Sequence, residues 1–100
     1  MKYIYRVEDM DGIGCYAGYC DSHFLGKHTL YNGHPRPEDD EKILREIAED
    51  ERCGFLNLTQ AMRWFTSNEL RQLEKEAFYL KRVKVKEITA IGNSQVLAII

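Results

Sequence analysis

The last six residues, "QVLAII" (95–100), constrain this chain most. Five of the six are apolar, and a strand has two faces. A run this apolar needs cover on both, so it belongs in the middle of a sheet or under other elements. The "GNS" before it (92–94) is a tight-turn signal, so an antiparallel strand feeds it. That partner is "FYLKRVKVKEI" (78–88), which alternates from Val83 onward, with Val83 and Val85 opposite Lys84 and Lys86. Phe78 and Leu80 fall in the other frame, which predicts a bulge or bend near 81–82.

The N-terminus is also a strand. "KYIYRVE" (2–8) puts Tyr3, Tyr5 and Val7 on one face and Ile4, Arg6 and Glu8 on the other. "DMDG" (9–12) is a turn signal. "IGCYAGYC" (13–20) reads either as a second strand or as an irregular stretch facing a ligand. Residues 21–37, with two glycines, two prolines and three histidines, read as a long loop.

Between the strands the periodicity is helical. "PEDDEKILREIAEDERCG" (37–54) predicts a helix: Pro37 suits its first turn and Glu38 to Glu41 suit its positive end. Ile43, Leu44, Ile47 and Ala48 form its apolar stripe, and Gly54 is its stop. Asn57 with Gln60 predicts a second helix at about 58–65, with Leu58, Ala61, Met62 and Phe65 inward. Thr66 with Glu69 is a capping box for a third, carrying Leu70, Leu73 and Ala77. Strands at both ends with helices between predict an α+β fold. A small mixed or antiparallel sheet, made from the N-terminal strand and a C-terminal hairpin, carries about three helices on one face. One hundred residues make one domain, 1–100.

Composition bounds the function. Hydrophobic residues are 44% and net charge is −2, which fits a folded soluble chain and does not suggest nucleic-acid binding. The charge is uneven. Residues 37–51 hold eight acids against two bases, and residues 71–86 hold six bases against two acids. "MKYIYRVED" meets charge too early for a secretory signal, and no stretch approaches the roughly 20 apolar residues of a membrane helix. Three cysteines is an odd number, which argues against a full disulfide framework and for a reducing cytoplasm.

Several constellations could carry chemistry. Cys15, Cys20, His23 and His28 have the spacing C-x4-C-x2-H-x4-H, a donor set that suits tetrahedral zinc. The competing reading makes the cysteines small apolar fillers and the histidines, His34 included, surface residues. A cysteine with a histidine could form a nucleophile and base, though Cys53, at the expected helix end, is at the wrong end for activation. Arg6 is either a ligand-binding arginine or an exposed strand residue paired with Glu8 or a neighbouring acid; the second reading is adopted. The acids Glu38, Asp39, Asp40, Glu41, Glu46, Glu49, Asp50 and Glu51 could imitate nucleic-acid phosphates, or simply solvate a helix. Lys81, Arg82, Lys84 and Lys86 read as charges that blunt a sheet edge, and Trp64 and Phe65 as core.

"YRVEDMDGIG" near the start, "CGFLNLTQAMRWFTSNELRQLEKEAFYLKRVKV" in the second half and "GNSQVLAI" at the end resemble a family of small phage and prophage proteins. The pattern is similar, more distantly, to ADP-ribosyltransferases of the arginine–serine–glutamate type. That resemblance implies Arg6 as the dinucleotide arginine, Thr59 in the serine position and Gln95 where the glutamate would stand, with NAD as cofactor. A neutral amide cannot stabilise a developing oxocarbenium centre as a carboxylate does, so the match implies either an ADP-ribosyltransferase-like enzyme or a catalytically inactive relative that still binds a nucleotide. The phage resemblance implies a non-enzymatic binding protein of the host cytoplasm, inhibiting a host nucleic-acid-handling or defence complex in anti-CRISPR fashion. Glu38, Asp39, Asp40, Glu41, Glu46 and Glu49 would supply complementary charge, and Tyr16, Tyr19 and Tyr31 buried anchors. The expected partner is a host protein or ribonucleoprotein. No cofactor, membrane or direct nucleic-acid contact is expected, and the chain is a monomer or homodimer.

Overall fold

A computed structural model describes residues 2–16 and 34–100. Among the described residues there are five strands: β1 (Lys2–Glu8), β2 (Glu51–Gly54), β3 (Tyr79–Val85), β4 (Glu87–Ile91) and β5 (Val96–Ile99). Two α-helices, α1 (Leu58–Trp64) and α2 (Ser67–Glu74), lie between β2 and β3, and Pro37–Asp39 forms one 3-10 turn. The class is α+β, with antiparallel pairing throughout.

The sheet is divided in two. β1 pairs with β3, while β5 sits between β2 and β4. The apolar C-terminal strand is thus central in its sheet, and Val96, Leu97 and Ala98 are fully buried. The sheets meet where β1 crosses the end of β2. There Tyr5 and Phe55 exchange two backbone hydrogen bonds of 2.8 and 2.7 Å.

The β1–β3 ribbon is covered on both faces, which explains the change of frame along β3. Val7 with Tyr5 and Leu80 packs into one cluster with Phe55, Ala61, Trp64, Phe65, Leu73 and Phe78. Ile4, Val83 and Val85 pack into another with Val96, Ala98 and Ile88. The expected bulge near 81–82 is not there: the register runs unbroken from Lys2 opposite Val85 to Glu8 opposite Tyr79. The predicted strand 78–88 breaks instead at Lys86, whose N–H donates to Ile99 O (2.7 Å) as the chain passes between sheets. The irregularity falls in β4, between Ile88 and Ala90.

Both short helices begin where their caps predict. Asn57 accepts from Gln60 N–H (2.8 Å), although the Gln60 side chain reaches Leu56 N–H rather than closing the box on Asn57. The Thr66–Glu69 box is reciprocal, at 3.1 and 2.8 Å. In α1, Ala61 and Trp64 are buried, as is Phe65 just after it, while Leu58 and Met62, expected inward, are exposed. α2 ends in a turn in which Ala77 N–H donates to Glu74 O and Phe78 N–H to Leu73 O, with Ala77 at φ 64°.

The helix predicted over 37–54 does not form, so about three helices become two. β5 needs backbone partners on both edges, and residues 51–54 supply one of them as β2. Upstream, the buried Asp40 carboxylate accepts from Lys42, Asn93 and Ser94 N–H (2.9–3.2 Å) and so holds the turn between β4 and β5. A Cβ on Gly92 would run into that carboxylate. Leu44 takes φ 53°, which no helix permits, and Leu44 and Ile47 of the predicted apolar stripe are exposed. Tertiary partners outcompete local helix propensity here.

Candidate functional site

Arg6 lies on the face of β1 that carries Ile4, directly across from Lys81 on β3. The turn after β1 is an Asx turn: Asp9 Oδ1 accepts from Asp11 and Ile13 N–H (2.9 and 3.0 Å), and Gly12 supplies φ 79°. It returns the chain so that Gly14 bridges to Glu8. A Cβ at Gly14 would sit 3.0 Å from Arg6 Nη2, and one at Gly54 would sit 3.0 Å from Arg6 Cγ. Two glycines therefore make room for one arginine. The Gly54 Cβ would also lie 2.7 Å from Tyr5 O, so this glycine is a point of close approach and not the helix stop expected.

The expectation of an exposed Arg6 is corrected. Arg6 is 7% exposed. Its Nη1 lies 3.5 Å from Glu8 Oε2, so the pairing with Glu8 is present, but Nη1 makes no hydrogen bond. Burial pulls the Arg6 pKa down and Glu8 opposes that pull. An arginine stays charged at any accessible pH, leaving a buried cation with a donor to spare.

Arg6 lines a cleft of about 380 Å3. Trp64, Phe55, Phe65, Tyr16, Val7 and Ile47 give it apolar walls, and Pro35 and Pro37 add rigid ones. Arg36, Arg52, His34, Cys15, Cys53 and Gln95 complete it, with no Asp or Glu among the described lining residues. Trp64 Nε1 donates to Tyr16 Oη (2.7 Å), while His34 Nε2 donates to the Trp64 backbone carbonyl (2.7 Å) and sets its ring edge-on to the indole, 5.0 Å between centroids. Arg52 Nη1 donates to Glu49 O and Glu51 O (3.0 and 2.8 Å). Arg36 is exposed and reaches Glu38 and Asp39 (3.1 and 3.3 Å).

The residues proposed for chemistry divide. Arg6 and Gln95 share the cleft, but Thr59 is exposed on α1 and does not line it. The Gln95 amide donates to Pro35 O (2.5 Å), an internal role. Burial pushes the Cys53 thiol up, against the pull of Arg6, which opposes a thiolate nucleophile there. Cys53 lies on β2, not at a helix end. Cys15 is buried beside Arg6, whereas Cys20, His23 and His28 lie outside the described residues, as do Tyr19 and Tyr31. Among the described residues no group of three or more His, Cys, Asp or Glu could hold a metal ion.

The acidic residues divide too. Asp40 and Glu51, expected on a solvated surface, are buried. The Glu51 carboxylate takes both Arg45 amines (2.6 and 2.8 Å), Ala48 N–H (2.9 Å) and the Thr89 hydroxyl. Arg45 chiefly holds its pKa down, at about 2. Glu41, Glu46, Glu49 and Asp50 stay exposed between these two anchors. On the basic strand, Lys81 Nζ donates to Asp9 O (2.8 Å) and Arg82 stacks 4.4 Å over the Tyr3 ring.

Sequence reasoning did not find Arg36, Arg52 or His34 as cleft residues, because chain order gives no sign that they meet. The only local signal is the "HPRP" run (34–37), whose prolines stiffen the wall. No helix of the described residues is long and apolar enough to cross a membrane. No curated protein and no solved structure matches the chain. A family model does match, over residues 1–99, so the chain belongs to the bacteriophage T4 Y00F protein family.

Proposed function

We propose that this phage protein acts by binding, and that its target is a host protein or ribonucleoprotein that handles nucleic acid or defends the cell. The mode would be anti-CRISPR-like: occupation of a surface in the host cytoplasm that normally holds phosphate. One observation carries the reading. The segment 41–50 keeps Glu41, Glu46, Glu49 and Asp50 outward while buried Asp40 and Glu51 fasten its two ends to the β4–β5 unit. Charge held in place beforehand loses less freedom on docking, and carboxylates steer a basic partner. The Tyr16 ring, exposed on one side, suits an anchor.

The test is affinity capture from host lysate with wild type and a Glu41→Lys, Glu46→Lys, Glu49→Lys variant, at low and high salt. A nucleic-acid-handling complex should come down in near-equal amount with wild type, weaken with salt and be lost with the variant. Equal capture by the variant, or none by wild type, overturns the reading.

A second reading, a nucleotide-binding relative of the ADP-ribosyltransferases without transfer activity, is favoured by the meeting of Arg6 and Gln95 in one cleft. The exposed Thr59 and the amide at position 95 weigh against catalysis.

A further inference from the structure

The β1–β3 ribbon has an open end that neither the cleft nor the acidic segment uses. In its register Tyr3 stands opposite Lys84 and Tyr5 opposite Arg82, so these four share one face with Val7 and Leu80. The helical cluster covers that face over Val7 and Leu80 and reaches as far as Tyr5. Beyond it Arg82 and Lys84 are exposed, and so is Lys86 where β3 ends. The two strands place no acid on this face. Elsewhere Arg6, Arg36 and Arg45 each meet a carboxylate. Among the described residues, the side chains of Lys84 and Lys86 make no hydrogen bond or ion pair, and Arg82 rests only on the Tyr3 ring, 4.4 Å from its centroid. A ring holds a guanidinium in place without cancelling its charge.

Lysines that only blunt a sheet edge need no rings beside them. Here rings on β1 face cations on β3, which is the make-up of a platform for a single nucleic-acid strand: phosphates meet the cations, and bases stack on rings or on arginine planes. The spacing agrees. Arg82 and Lys84 lie two residues apart, about 6.7 Å along the strand, the scale on which an extended single strand repeats its phosphates. We propose that this end of the ribbon binds single-stranded nucleic acid, with Arg82, Lys84 and Lys86 along its phosphates and a base stacked on the Tyr3–Arg82 pair. A net charge of −2 over the whole chain confines the contact to this row. The proposal does not rest on the acidic segment, so charge reversal at Glu41, Glu46 and Glu49 should make binding no weaker.

Fluorescence anisotropy tests it, with labelled oligothymidylate and oligouridylate of about twelve nucleotides and a duplex of the same length, titrated with the purified protein from low to physiological salt. At least one single strand should bind saturably at low salt and weaken as salt rises. Arg82→Gln and Lys84→Gln, at exposed positions, should each reduce the salt slope by about 0.7, the share of one phosphate on a single strand. Tyr3→Leu keeps an apolar side chain in place and should weaken binding at least about fivefold with little change of slope. Lys42→Gln, at an exposed lysine of the acidic segment, should leave both unchanged. No saturable binding of either strand at low salt overturns the proposal, as does binding that the Arg82→Gln, Lys84→Gln double variant retains. A duplex bound as tightly as the single strand overturns it too, because paired bases hide their faces. So does displacement by poly-glutamate as effective, charge for charge, as by unlabelled strand, which would mark an acidic protein as the occupant instead.

Discussion

Ala77 occupies backbone space that suits glycine. At φ 64° its Cβ crowds the following carbonyl, a cost of about 1–2 kcal/mol. The two hydrogen bonds that close α2 require that angle, so the turn keeps it. Ala77→Gly relieves the crowding but frees the unfolded chain by about 0.4–1 kcal/mol. The net is a gain of about 0.5–1 kcal/mol, read as a higher urea midpoint at unchanged slope. Arg6 shows the limit of reading one residue at a time. Its strand position and its pairing with Glu8 follow from alternation and proximity. Its burial does not, because the backbone that closes over it comes from Gly14 and Gly54, and no period in the sequence brings these together.

At the scale of elements, caps and alternation were legible, whereas the acidic segment was not. α1 and α2 start where Asn57 and Thr66 announce them, since a cap and its partner lie three residues apart. β5 declares itself by being apolar on both faces. The segment 37–50 carries a helix-like apolar period, but its decisive contacts are distant. Asp40 serves a turn more than 50 residues away and Glu51 meets Thr89. Glu51 gives a prediction with a definite sign. Its folded pKa, about 2, is below the ordinary carboxylate value, so its stabilisation is full above that ordinary value, about 4.3, and is lost as pH falls towards 2. Glu51→Gln should cost about 1–2 kcal/mol at pH 7, reduced because Arg45 is partly exposed. The gap to wild type should close between about pH 4 and pH 2, as denaturant titrations at several pH values would show.

For the whole molecule, the β1–β3 ribbon is shared property: one face belongs to the helical cluster and the other to the β2–β5–β4 sheet. Neither cluster is complete without it. The sheets are joined across Gly54, where no side chain fits between the two backbones. The paired amides of Tyr5 and Phe55 lie in that seam. They can trade protons with solvent only when the two sheets come apart. Their deuterium uptake is therefore a clock for that separation, and both should exchange at one rate, as slowly as the amides of β5 that depend on global unfolding. Faster, matched exchange at these two positions alone would reveal a molecule that opens along its seam while each half stays folded.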